Sequence, residues 1–432
     1  MKYNIPLWLL FLFCLSAEAQ DVLSLEQAID SALMNNYRIA VARNNVTIAE
    51  NNNHPGQAGM LPNVGVNISD SPANNNLRQE FANGSEIVRN NVNSNSLNAQ
   101  IAANMTLYDG GRMFAARARL NEEQTLAELS FKSEMQNLIS DVISAYTTLV
   151  AQQQNEKVLL KLQESAKARK QLIEVRMSAG LANNSDLFLA ELDLDNAAQA
   201  LVTSSQQMMR ASAALKSLMK SNNPNVLRVA EVVPESNQPE RLSADGLFQN
   251  NPEVNMSGTS VKIAVQSEKE ASALRYPKVT LTAAYGYLLS QSQAGFSLYN
   301  QTYGASGSLG INVPLFSGNV YKNNHQNAII ARKNTELEAE QVKNDIMQHY
   351  ILAWQLYDSA NARQILLESS VKTASDYLAL MTLRFNEGQS TVIELREAER
   401  SFEEANYRKI SNEVTLKLAE TDILRISGQL IR

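Results

Sequence analysis

Arg176-Met177-Ser178-Ala179-Gly180-Leu181 returns 208 positions later as Arg384-Phe385-Asn386-Glu387-Gly388-Gln389. Each copy lies in the middle of a long run without proline, and Gly180 is the only glycine between Gly111 and Gly246. Gly388 likewise stands alone between Gly318 and Gly428. A single residue of free backbone inside a helical run predicts the tip of a helical hairpin. Two such tips, written to one register, organise the rest of the chain.

Outward from the tips, the copies keep step. A heptad runs up to the second tip through Ile346, Tyr350, Ala353, Tyr357, Ala360, Gln364, Leu367, Val371, Ala374, Leu378, Met381 and Phe385. The first arm carries Leu138, Val142, Ala145, Leu149 and Ile173 at matching places, broken by Gln152, Glu156, Gln163 and Lys170. Such spacing places one apolar seam on a helix. The falling arms agree as well, Leu395, Ala398 and Phe402 echoing Leu187, Ala190 and Leu194. From Arg112 to Ser178 nothing breaks a helix, which at ~1.5 Å per residue predicts a rod of roughly 100 Å. Helices are also expected over Leu23–Glu50, with a capping box from Ser24 and Gln27, and from Asn250-Asn251-Pro252 onward. The offset is 215 before the strand segments (Pro62 to Pro277) and 208 after them, so seven extra residues sit in the first strand segment. The chain therefore reads as an internal duplication, 20–232 and 233–432, with Pro224, Pro234 and Pro239 marking the junction.

Between helices the period changes to two. Val64, Val66 and Ile68 alternate with Gly65 and Asn67; Ile101, Ala103, Met105 and Leu107 do the same. The Asn- and Ser-rich residues 70–98 read as a long exposed loop. In the second copy, Val279 to Tyr287 and Leu309 to Leu315 alternate around another loop. Strands of about ten residues, apolar on one face and small or polar on the other, match a membrane β-barrel. Four strands cannot close, and open edges are not tolerated in lipid, so several chains would share one barrel. Two chains give eight strands and three give twelve; a soluble sheet with one wet face is the alternative from pattern alone. The narrow seams fit either a coiled-coil stalk or the wall of a helical cylinder.

Composition narrows the function. Charged residues make up 19% and the net charge is −6, which leaves no nucleic-acid footprint. Lys2, the apolar run Ile5 to Leu15 and Ala17-Glu18-Ala19 before Gln20 read as a signal peptide over 1–19. The one cysteine, Cys14, lies within it behind bulky Leu12-Phe13, so acylation is not expected. His54, His325 and His349 are far apart without metal-ligand spacing, and Tyr303-Gly304-Ala305-Ser306-Gly307 lies in strand texture rather than before a helix. Neither an enzyme nor a metal or other cofactor is expected.

These features together resemble the outer-membrane efflux protein family, the TolC-like channels. The carriers are the twofold repeat and the strand endings Leu107-Tyr108-Asp109-Gly110-Gly111-Arg112 and Val313-Pro314-Leu315-Phe316-Ser317-Gly318. The tips continue in the family manner as Asn184-Ser185-Asp186-Leu187 with Ala190-Glu191, and Val392-Ile393-Glu394-Leu395 with Ala398-Glu399. The resemblance implies an α+β membrane protein, a homotrimer with a twelve-stranded outer-membrane barrel continued by a long α-helical barrel in the periplasm of a Gram-negative-type cell. It implies the exit duct of a tripartite efflux or secretion system, with a periplasmic adaptor, an inner-membrane transporter and outer-membrane lipid as partners. By position after the tip glycines, Asp186, Glu394 and Glu397 would ring the periplasmic aperture. Phe385 and Ser390 stand where some members carry a tyrosine and an arginine that lock the gate, so that lock is not expected; Arg176 and Arg384 could pair in its place. Ala179, Gly180, Leu181, Glu387, Gly388 and Gln389 resemble the adaptor-docking turns. The competing function is a trimeric coiled-coil envelope protein, structural or adhesive, on a small barrel anchor.

Overall fold

The computed structural model describes residues 22–230, 232 and 239–431. The signal-peptide reading and Cys14 lie outside the described residues. Along the chain come α1 (Leu25–Asn35), α2 (Tyr37–Asn52), β1 (Asn63–Glu80), β2 (Glu86–Asp109), α3 (Arg112–Ser178) and α4 (Asn184–Met219). The second half repeats the order with α5 (Ala244–Asn250), α6 (Pro252–Ala273), β3 (Lys278–Ser292), β4 (Tyr299–Asn312), α7 (Val320–Asn386) and α8 (Val392–Ile426). The helices α3 and α7 are each 67 residues long and unbroken.

The first helix is interrupted where one helix was expected. Ser24 and Gln27 do form the capping box of α1. At Asn36, however, the backbone turns extended, and its side-chain oxygen accepts from the Arg38 N–H at 2.8 Å while its amide donates to the Leu218 carbonyl at 2.9 Å. An asparagine that satisfies the free N–H groups of a new helix start competes with helix continuation. Asn251, its counterpart 215 residues on, caps α6 the same way through the Val254 N–H at 2.9 Å.

The four strands form one antiparallel sheet in the order β1-β2-β3-β4. Residues 70–98 are not a loop: the β1–β2 ladder continues through Ser71↔Ser96 and Asn74↔Asn93 to Glu80↔Glu86, leaving only residues 81–85 to turn. Ladder hydrogen bonds are made by backbone and ask nothing of the side chains. Where both faces are wet, alternation vanishes although pairing persists. The seven extra residues of the first copy therefore lengthen a hairpin, absorbed partly at the irregularity between Asn75 and Leu77, rather than a loop. Conversely, β4 stops at Asn312, short of the expected Leu315. Pro314 has no N–H to give to a ladder, which ends pairing there.

Register sorts the side chains cleanly. One face carries, rung by rung, Met105-Leu281-Leu309, Val64-Ala103-Ala283-Gly307, Val66-Ile101-Tyr285-Ala305 and Ile68-Ala99-Tyr287-Tyr303. The other carries Asn63-Asn104-Thr282-Ser308, Gly65-Ala102-Ala284-Ser306 and Asn67-Gln100-Gly286-Gly304. The apolar side chains are open, Val66 at 64% and Ile68 at 71% exposure. From Val279 to Leu289 the band covers ~34 Å along the strand, or about 25 Å in height at the usual barrel tilt. Among the described residues β1 pairs only β2 and β4 only β3, so each outer edge is open.

The described residues divide into two compact units, one of 22–39, 135–230, 239–243 and 348–431, the other of Ala40–Glu134 and Ala244–Met347. Each draws on both halves of the sequence. The second holds the sheet; its helices carry the ion pairs Arg119–Glu270 and Arg332–Glu268. In the first, the connection after α4 is strapped to α3: Gln153 exchanges two 3.0 Å hydrogen bonds with the Val229 backbone. The Tyr146 hydroxyl, its pKa raised by burial, donates to the Leu23 carbonyl and accepts from the Ala230 N–H. Among the described residues no helix is long and apolar enough to cross a membrane.

Candidate functional site

The two tips are built alike. Gly180 and Gly388 adopt φ of +74° and +76°. At the first, Gly180 N–H donates to the Met177 carbonyl at 3.0 Å and Leu181 N–H to Arg176 at 2.8 Å. At the second, Gly388 donates to Phe385 at 3.0 Å and Gln389 to Arg384 at 2.7 Å. This pair of bonds closes a helix C-terminus and needs a left-handed residue. A Cβ at Gly180 would meet nothing within 4 Å, so alanine there costs only the backbone strain of about 1–2 kcal/mol.

Three residues later each next helix is capped. Asn183 and Asp186 form a capping box for α4, as Thr391 and Glu394 do for α8. Asp186 accepts from the Asn183 N–H at 3.2 Å; Glu394 accepts from the Thr391 N–H at 2.8 Å and from its hydroxyl at 3.0 Å. Those bonds, the backbone one foremost, hold the Glu394 carboxyl below its ordinary range, with Arg384 adding a favourable charge. A lowered folded-state pKa contributes stability above the ordinary carboxylate range and loses it as pH falls through the folded value. Protection of amides in the first turn of α8, taken relative to the intrinsic rate at each pH, should therefore fall on acidification. Glu394→Gln should abolish that pH dependence, and an unchanged profile would refute the cap's role.

Among the described residues Arg176 pairs with backbone carbonyls rather than with an acid. Its Nη2 donates to the carbonyls of Phe385 at 2.5 Å and Asn386 at 3.2 Å, and its guanidinium lies 4.9 Å from the Phe385 ring centre. It thus caps the end of α7, where free carbonyls favour a cation. Arg384, Glu394 and Glu397 are exposed and Asp186 half-buried. The tips share one core of Ile173, Ala190, Leu378, Met381, Phe385, Leu395, Ala398 and Phe402, the seam read from the heptads.

Behind this core lies a charge cluster that sequence reading missed. Arg169, with 2% of its side chain exposed, binds Glu399 at 2.6 Å and Asp193 at 3.0 Å. The Ser165 hydroxyl donates to the other Glu399 oxygen at 2.7 Å, and Arg396 reaches Asp193 at 3.3 Å. The Arg169 Nε is buried without a hydrogen-bond partner among the described residues. One clue was available: Arg169 precedes Gly180 by eleven residues, Asp193 follows it by thirteen, and Glu399 follows Gly388 by eleven. Antiparallel arms bring such positions level. In the sequence Glu399 stands out only as part of the Ala398-Glu399 motif.

The family profile described as "Outer membrane efflux protein" matches residues 28–219 and 245–429. The chain belongs to this family. As an outer membrane efflux protein it is a channel component rather than an enzyme, which sets aside the adhesive stalk. Its place is the outer membrane, with the helical part in the periplasm. Among solved structures, the Campylobacter jejuni CmeC outer membrane channel aligns at TM-score 0.78 and 17% identity, covering 94% of this chain and 85% of that one. CusC, described for folding and transmembrane channel formation, aligns at 0.77 and 18%, covering 94% and 92%. The outer-membrane channel OprN aligns at 0.75 and 18%, covering 94% and 89%. At these identities the likeness establishes the fold. No curated protein sequence matches this efflux protein.

Proposed function

We propose that three copies of this efflux protein close one twelve-stranded barrel and continue it as a helical cylinder, forming a passive exit duct. The observation that carries this reading is the four-stranded meander with an exposed apolar face and two open edges. In lipid every backbone N–H and C=O needs a partner, so β1 of one chain must pair β4 of the next. The family resemblance favours three chains over two. The duct would receive cargo from a periplasmic adaptor and an inner-membrane transporter, docking at the turns around Gly180 and Gly388. Asp186, Glu394 and Glu397, each present three times near the axis, would then favour cations at the periplasmic aperture. Capping does not compete with that role, since a carboxylate held charged by the helix start still attracts cations.

Planar-bilayer recording of the purified protein tests both parts. Conductance is expected, and its complete absence, even with Asp186, Glu394 and Glu397 neutralised, would overturn the duct. Glu394→Gln with Glu397→Gln should shift the reversal potential in a salt gradient toward weaker cation preference; an unshifted potential would remove these residues from the aperture.

A further inference from the structure

Past the top of the apolar band, on the same face of the sheet, amides replace aliphatic side chains on the two central strands. The rung Asp70-Leu97-Leu289-Gln301 closes the band, the next is Pro72-Asn95-Gln291-Tyr299, and beyond it Asn74 lies opposite Asn93. With Gln293 these residues line an open cleft of about 680 Å³. The start of the β3–β4 connection forms its wall: Gln293 N–H donates to the Asn93 carbonyl at 3.0 Å and its side-chain oxygen accepts from the Asn93 N–H at 3.3 Å. Asn74 donates to the Asn93 side chain at 2.6 Å, which fixes both amides. Beside the cleft, the Asn95 Oδ1 is buried and has no hydrogen-bond partner among the described residues, so its polar capacity is unmet in this arrangement of the side chain. None of the five is charged.

We propose that this cleft binds the sugar headgroup of a glycolipid in the outer leaflet. The inference rests on the reading of the apolar face as the lipid face. The cleft continues that face at the hairpin-turn end of the sheet, away from the β2–α3 junction at Asp109–Arg112, where headgroups begin above acyl chains. Primary amides present donors and acceptors together, the pairing that vicinal sugar hydroxyls require. A phosphate would instead call for arginine or lysine, and the cleft lining has none.

The test uses the full protein reconstituted in phosphatidylethanolamine vesicles doped either with rough lipopolysaccharide or with phosphatidylglycerol. Lipid retained on the re-extracted channel is then measured. Selective retention of the glycolipid is expected, and Asn95→Ala with Gln291→Ala should weaken it roughly tenfold, the worth of two neutral hydrogen bonds. Asn98→Ala, on the opposite face, should leave it unchanged. Free core oligosaccharide competing for the site would place recognition in the sugar alone; failure to compete would place it in sugar and acyl chains together, and either agrees with the proposal. Equal retention of phosphatidylglycerol, or undiminished binding by the double variant, would overturn it. Conductance of the same vesicles tests the barrel separately: channels that conduct but hold no glycolipid refute this inference and spare the duct.

Discussion

Arg169→Met is expected to destabilise the hairpin tips by about 3–5 kcal/mol, the usual cost of removing one partner from a buried charge cluster. Asp193 and Glu399, 9% and 13% exposed at their side chains, would lose the cation that compensates both. Arg396 cannot replace it, because it reaches only Asp193 and is itself half in water. The damage should be local. Amide exchange should rise in α3, α4 and α8 near these residues, while the sheet, in the other compact unit, should keep its protection. Adding Asp193→Leu and Glu399→Leu should recover much of the loss, since apolar replacement of a whole buried cluster is often neutral or better. As a control, Arg400→Met breaks the exposed pair with Glu404 and should cost under about 1 kcal/mol. Equal effects at Arg169 and Arg400 would show that the cluster is solvated in practice.

Ile101→Lys should cost about 2–4 kcal/mol per chain, the penalty for lysine on the lipid face near the bilayer midplane. Ile101 sits in the middle of the apolar band, flanked by Val66 and Tyr285. In a shared barrel the penalty recurs in every copy, so little folded protein should reach the membrane. Gln100→Lys is the matched control. Its neighbours are Asn67 and Gly286 on the polar face, where lysine would stay in water. Folded, protease-resistant protein in the membrane fraction measures both. Comparable loss from the two substitutions would overturn the assignment of faces.

What residues alone reveal depends on the range of the interactions involved. The ends of α3 and α7 and the turns at Gly180 and Gly388 were legible because they rest on short-range rules: one glycine free to take positive φ, and a cap within three residues of it. The heptads likewise marked the shared tip core, since helical period fixes which side chains face inward. The β1–β2 hairpin was underestimated for the opposite reason. Its outer part is held by backbone bonds alone, and wet asparagines and serines carry no pattern that tells a strand from a loop. The break at Asn36 went unseen because part of its cause, the Leu218 carbonyl, is 182 residues away.

By itself, then, the sequence determined the twofold repeat, the rods and their tips, and the two-faced strands. All of these follow from residue type at fixed local spacing. Only the tertiary structure decided how Arg169, Asp193 and Glu399 meet, that Arg176 caps a neighbouring helix, and where the amide cleft lies above the apolar band. Each of these needs segments from distant parts of the chain packed side by side, and charge or polarity in a sequence carries no address for its partner.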